Sequence, residues 1–390
     1  ADRIQAVVQL RYSDATTAGL KAAGTAPAFS TINGTAGNVV AVPAYAAASI
    51  IAGSAYGAEG SGIRASTAAE FSNRDAFVLT NGSGSNRYPV RAGTDSGSLS
   101  QPLTQAEAQA ILEEAFKIMT RTRAQIRRPL DSKAQVSISL VDTHGSVLGL
   151  VRSPDAPIFG VDVSLQKART AAFFSNAKAA AELGSNPDAK VQNRLALAKS
   201  FFGDPAVFSG QTAWTNRAIG NIARPYFPDG EIGRGPGPFS PGIASFNPFH
   251  TGLQSELVFS NIVTHVGAFL NGTPDTPARC TQMPDVVSGQ NRLQNGIQIF
   301  PGSVPVYRGS VLVGALGVSG DGIDQDDMIA FLGTNNGGSR VGGLGNAPSA
   351  SRSDQIVVSI SGGGTARLRF VGCPFAPLLD TSEQNVCQGL

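Results

Sequence analysis

Long apolar runs are missing from this sequence. Residues 38–59, "NVVAVPAYAAASIIAGSAYGAE", come nearest, with no charge before Glu59. Pro43 and the Ala, Gly and Ser content leave them too weakly apolar for a membrane span, so they read as a packed loop-and-helix segment. Charge is scarce too: 15% of the 390 residues are charged, the formal net charge is +2, and no basic run exceeds Arg127-Arg128. A nucleic-acid surface needs a basic stripe, so nucleic acid is excluded as a partner. There are three cysteines, Cys280, Cys373 and Cys387. Their spacing fits neither a zinc ribbon nor a CxxC redox site, and without CxxCH covalent c-type haem attachment is excluded.

What is present is enough for a core, with 42% apolar residues, together with 46 glycines and 23 prolines. A disordered chain is excluded, and long ordered loops are expected. That loop-rich texture is typical of exported proteins. The first residue is Ala1 rather than Met, as after removal of a signal peptide, so a periplasmic or extracellular location is expected. Cys373 and Cys387, in "GCPFAPLLDTSEQNVCQGL", would close a short C-terminal loop as a disulfide, the alternative being three unpaired buried thiols.

Residues 1–98 are rich in Ala, Gly, Ser and Thr, with short extended pieces between "NGTAG" and "NGSGS" turns, and read as an irregular N-terminal wrap. The texture changes at "LTQAEAQAILEEAFKIMTRTRAQ". Thr104 and Glu107 make a capping box, and Ala108, Ile111, Leu112, Ala115, Phe116 and Met119 share a stripe, predicting an amphipathic helix over 104–126. "AQVSISLVDTHGSVLGLVRSPDA" predicts an antiparallel hairpin, strands 135–141 and 146–152, with Gly145 at the turn. A second helix follows near 161–175. Residues 176–295 are loop-rich and read as an insertion. Strands near 297–300, 303–307 and 311–318 come next, then a helix from Asp324 to about Leu332. Residues 334–390 add a small β extension around "SGGGT".

The blocks "LTQAEAQAILEEA", "VSISLVDTHGSVLGLVRSPDA", "DVSLQKARTAAFF", "GSVPVY" and "VLVGALGVSGDGIDQDDMIA", in this order, resemble the GlcG/HbpS/PduO C-terminal-like family. They cover about 103–175 and 296–333. The resemblance implies an α/β (α+β) fold, an antiparallel sheet flanked by helices and similar to profilin, within a domain spanning 99–333. It also implies homo-oligomers, and haem or a corrinoid-related partner for some relatives. Relatives have a short link where residues 176–295 stand here, and they usually lack the N-terminal 98 residues.

In "GSVLVGALGVSGDGIDQDDMIAFLG" the serine-hydrolase elbow fails, because Gly320 and Asp321 follow Ser319 where glycine is needed two residues on. Asp324 is expected to cap the helix, with Asp326 and Asp327 in its first turn, where the helix dipole favours negative charge. The alternative is a hard cation held by Asp321 and Asp324. Among the histidines, His144 reads as an exposed turn residue and His265 as a core histidine. His250, in the aromatic "FNPFHTGLQ", is the candidate for a haem edge. Arg152, Lys167, Arg169 and Thr170 fall in blocks that, by the resemblance, line a cleft between helix and sheet. They are the candidates for holding a carboxylate or propionate, against a reading as internal salt bridges. The insertion's aromatics, Phe201, Phe202, Phe208, Trp214, Tyr226, Phe227, Phe239, Phe246 and Phe249, are expected to pack against the conventional domain as the core of a long loop, with a subunit interface as the second reading. The functional expectation is a non-catalytic, exported, oligomeric binding protein for haem or a similar small molecule. The alternatives are a structural subunit of an envelope assembly and, behind it, an enzyme using carboxylates between Asp321 and Asp327.

Overall fold

The computed structural model describes residues 54–228, 231–248 and 251–390. Tyr56–Leu390 form one compact unit. The segment 38–59 lies largely outside the described residues, and Phe249 and His250 lie outside them altogether. Among the described residues no helix is long and apolar enough to cross a membrane.

The centre is an antiparallel sheet of seven strands: β1 (Ile63–Ala65), β2 (Phe77–Leu79), β3 (Ser137–Val141), β4 (Val147–Arg152), β7 (Ser303–Arg308), β8 (Val311–Ser319) and β9 (Gly345–Asn346), in the order β1-β2-β4-β3-β8-β7-β9. Strand β3 pairs with β4 on one side, Ile138 opposite Val151, and with β8 on the other, Ile138 opposite Val318. The segments on either side of the insertion therefore share one sheet. This is the α/β class expected, an antiparallel sheet flanked by helices. Part of the N-terminal wrap, β1 and β2, extends that sheet.

Helix α1 (Gln105–Arg121) starts at the expected capping box: Glu107 N donates to Thr104 Oγ1 at 3.2 Å, and Thr104 N donates to Glu107 Oε2 at 2.8 Å. Its apolar stripe packs with α7 (Ile323–Val341) in the main core with Ile138, Leu140, Val304, Val306 and Phe331. Helix α7 runs past the expected end at Leu332. Gly333 and Gly337 would ordinarily weaken a helix, but here they form the contact with α1. A Cβ at Gly333 would meet Ala115 Cα at 2.6 Å, and one at Gly337 would meet Ile111 Cα at 2.6 Å. On the opposite face α2 (Gly160–Phe174) lies close against β8, where a Cβ on Gly317 would come within 2.5 Å of Ala168 N.

The strand expected at 297–300 is absent. The N–H of Gln298 donates to Thr170 Oγ1, and those of Ile299 and Phe300 donate to Gln298 Oε1, so local side chains replace a ladder. The hairpin turn is as expected, with Gly145 at φ 77°. The insertion carries α3 (Ala179–Gly184), α4 (Ala189–Phe202), α5 (Asn216–Ile222) and α6 (Gly252–Asn271), with a short hairpin of β5 (Asp285–Val287) and β6 (Gln290–Asn291). Its aromatics do form a core: Phe208 stacks on Phe239 at 5.6 Å and lies 4.9 Å from Trp214, with Phe174 of α2 at 5.0 Å. The tail packs there too through Val358 of β10 (Val357–Ser359) and Leu368, just beyond β11 (Thr365–Arg367). Cys373 and Cys387 form a disulfide, and Cys280 is free and exposed rather than buried.

Candidate functional site

The residues expected to hold an anion are all buried, each with internal partners of its own. Arg152, at the end of β4, donates to Tyr56 Oη at 2.7 Å and to the Ala156 carbonyl. Lys167, on the sheet face of α2, donates to Val318 O at 2.8 Å and pairs with Asp326 Oδ2 at 2.9 Å. Arg169 donates to Gly145 O at 2.9 Å and Asn295 Oδ1 at 2.7 Å. Burial brings its pKa down to about 10. Thr170 donates to Gln166 O at 2.7 Å. No acceptor is shared among the four, and α2 lies too close on β8 to leave a cleft between helix and sheet. A carboxylate held there would displace an existing partner from each group it touched.

The acidic cluster is likewise occupied by protein groups. The N-cap of α7 is Gly322 and has no side-chain cap, so Asp324 is not the cap that the sequence suggested. Two residues further into the helix than the cap position, its carboxylate pairs with Arg217. The same guanidinium reaches Asp327 Oδ2 at 2.5 Å, and Asp327 also accepts from Gly372 N at 2.9 Å. Asp321 Oδ1 accepts from Gln125 N at 2.6 Å and Gly322 N at 2.8 Å, while Arg127 Nε stands 3.9 Å from Oδ2. Asp326, against Lys167, has its pKa raised to about 6 by burial, with Lys167 opposing the rise. Among the described residues no group of three His, Cys, Asp or Glu is placed to hold a metal ion.

The two described histidines exchange the environments expected of them. His144 is buried under the hairpin, its Nε2 2.9 Å from Ser98 Oγ and its Nδ1 without a partner. The turn that was to expose it is covered because Gln290 and Arg292 of the insertion donate to the carbonyls of His144 and Thr143. His265 is exposed on α6, its side chain 57% accessible. Its Nδ1 lies 2.7 and 2.9 Å from the two oxygens of Asp275. An ionised carboxylate only accepts, so Nδ1 carries the proton of that hydrogen bond. That hydrogen bond holds the Asp275 carboxyl below its usual range.

Helix α6 is apolar on two faces. Leu253, Leu257, Asn261 and Ala268 are buried against the insertion. On the far side Phe259, Ile262, Val263, Val266, Phe269 and Leu270 are all exposed, between 46% and 81%. His265 stands at the rim of this stripe, and Lys190 places its ammonium 5.9 Å from the Phe259 ring centroid. The sequence held the signal: apolar pairs at 262–263 and 269–270 recur at a seven-residue interval, as do Phe259 and Val266, on a helix whose buried positions are already filled. A separate open cleft of about 410 Å³ lies at the tail. There Arg352 sits 5.3 and 5.2 Å from the ring centroids of Phe331 and Phe370 and donates to Ala347 O.

Residues 111–215 and 257–334 match the family model described as "Haem degrading protein HbpS-like". With the ordered motifs and the shared sheet, this match supports the resemblance to the GlcG/HbpS-like family. Two solved structures are similar. One, a PduOC:haem complex, is 15% identical, with 62% of this chain and 94% of that chain covered and a TM-score of 0.24. The other, Klebsiella pneumoniae protein ORFY of the DUF336 family model, is 16% identical, with 67% and 98% covered and a TM-score of 0.27. No curated protein matches.

Haem is the group the family implies, and the donor set around α6 fits it in kind. An imidazole held through Nδ1 by a carboxylate is the arrangement that orients a histidine toward iron and raises its basicity. The exposed stripe would offer an apolar face to a macrocycle, and Lys190 a cation to a propionate.

Proposed function

We propose that this chain is a haem-binding protein in which His265 is the iron ligand and the exposed face of α6 meets the macrocycle. The observation that carries the reading is the His265–Asp275 pair at the rim of an uncovered apolar stripe, in a chain that matches a family model described by haem chemistry. When bound, haem supplies an iron centre. The chain's part is to present Nε2 with its lone pair outward, to fix the ring through Asp275, and to offer apolar contact. The role proposed for the chain is binding. Export belongs to the same proposal, supported by the Cys373–Cys387 disulfide, which persists in oxidising compartments.

Titration of haemin into the purified protein, followed by absorbance, tests it. A saturable Soret band is expected in the wild type and in His144→Ala, and its loss in His265→Ala and Asp275→Ala. A band unaffected by His265→Ala contradicts the assignment.

The α6 stripe also favours a second reading, a subunit contact, because six exposed large apolar side chains on one helix exceed what a monomer's surface usually carries. Size-exclusion of Phe269→Asp separates the two. A shift to smaller species with haem binding intact supports assembly through α6.

A further inference from the structure

The insertion's aromatic core encloses a second site, unrelated to the α6 face. A cavity of about 120 Å³ is walled by the rings of Phe202, Phe208 and Trp214 and by Ile356, with Ser209 and Asp204 on its polar side. The rings support one another: Phe202 lies 5.6 Å from Trp214 and 6.4 Å from Phe208. Two polar groups of the lining are shielded from solvent and have no hydrogen-bond partner among the described residues, the Trp214 indole Nε1 and Ser209 Oγ. Trp214 is 1% exposed, so its N–H is a donor withdrawn from solvent and left unsatisfied, which is costly unless something there accepts from it. Phe208 is held at φ 63°, a left-handed conformation rare for a bulky side chain, and the surrounding packing maintains it.

From these features we infer that the cavity is a binding site for a small, neutral, planar carbonyl compound, such as a cyclic amide or ketone. The carbonyl oxygen accepts from Trp214 Nε1 and Ser209 Oγ, and the apolar body lies against Phe202 and Phe208. Size limits the ligand: an enclosed apolar cavity of about 150 Å³ accommodates benzene, so this one of about 120 Å³ takes roughly five or six non-hydrogen atoms. Charge limits it as well. The exposed Asp204 carboxylate, its Oδ1 accepting from Ala206 N at 2.8 Å, stands among the lining residues and disfavours anions. The site is independent of the haem reading, since it shares no residue with α6.

Trp214 is the sole tryptophan of the chain, so intrinsic fluorescence reports on this cavity directly. The experiment titrates 2-pyrrolidinone and cyclopentanone, with propionate as the anionic control, into the full chain without haem. A saturable change in Trp214 emission is expected for the two neutral probes, with a Kd of roughly 1 mM or tighter, as the best ligands of this size reach. Propionate is expected to give none. Ser209→Ala, followed by the same emission, is expected to weaken binding about fivefold, and the filling variant Ser209→Leu to abolish it. Trp214→Phe, followed by ligand-detected NMR, is expected to weaken it about fivefold to tenfold. A change in emission that is only linear in probe concentration means the cavity holds water alone and overturns the proposal. Saturable binding untouched by Ser209→Ala and Ser209→Leu overturns it as well.

Discussion

Removing Lys167 should expose the cost of the buried acid opposite it. The Lys167 and Asp326 side chains are each 3% accessible, and among the described residues the ammonium makes the one ion pair the carboxylate has, at 2.9 Å. In Lys167→Met the carboxylate keeps its hydrogen bond from Asp321 N but loses its cation, and breaking a buried pair in this way costs about 3–5 kcal/mol. The effect is pH-dependent with a fixed sign. Burial raises the Asp326 pKa from 3.8 in the unfolded reference to about 6 in the folded protein. The native state therefore binds this proton more tightly. The group's contribution is favourable below about pH 4 and is lost as the pH climbs through 6, by about 3 kcal/mol over the two-unit shift. Without Lys167 the folded-state value rises further. Denaturant unfolding should thus show the full loss at about pH 7.5 and only about 1 kcal/mol at about pH 5, where the carboxyl is protonated in wild type and variant alike. The double variant Lys167→Met/Asp326→Leu should return to within about 1–2 kcal/mol of wild type. A pH-independent loss in Lys167→Met, or a double variant no better than the single, would refute the reasoning.

Three further outcomes are expected. Gly333→Ala gains about 1 kcal/mol of helix propensity but drives a methyl into Ala115, so denaturant unfolding should show a net loss of about 1–2 kcal/mol. A gain in stability would mean that α1 and α7 are not in close contact. Reducing the Cys373–Cys387 disulfide, which spans a sequence separation of 14, should lower stability by about 2–3 kcal/mol under mild reductant, and Cys280→Ser should leave that effect unchanged. In Asp275→Asn the acceptor of the His265 Nδ1 proton is weakened, so haemin affinity should fall about tenfold while Soret saturation remains reachable.

Much of the main body was legible because its signals are local and agree with one another. Thr104 and Glu107 mark the start of α1, Gly145 marks the hairpin turn, β-rich runs mark β3 and β4, and an apolar run marks β8. The length of α7 was hidden for a physical reason: Gly333 and Gly337 read as helix breakers until Ala115 and Ile111 are seen opposite them. The extended piece at 297–300 looked like a strand, yet its N–H groups are taken by Thr170 and Gln298, which no periodicity reveals.

The candidate site was harder to read. Arg152, Lys167 and Arg169 carry the right chemistry for an anion pocket, but their partners, Tyr56, Asp326 and Asn295, are distant in sequence for all three. Flanking apolar residues suggested a core position for His265. Helix α6 is apolar on both faces, so hydrophobic neighbours do not say which face is buried. Only the placement of Leu253, Leu257 and Ala268 against the insertion core decides that His265 and Phe269 face outward.

Electron paramagnetic resonance of the ferric haem-loaded protein bears most directly on the central claim, that His265 is the group presented to iron. The account predicts an imidazole-nitrogen ligation signal in the wild type, its absence in His265→Ala, and its return when free imidazole is added to that variant. The same nitrogen signal in His265→Ala without added imidazole would contradict it.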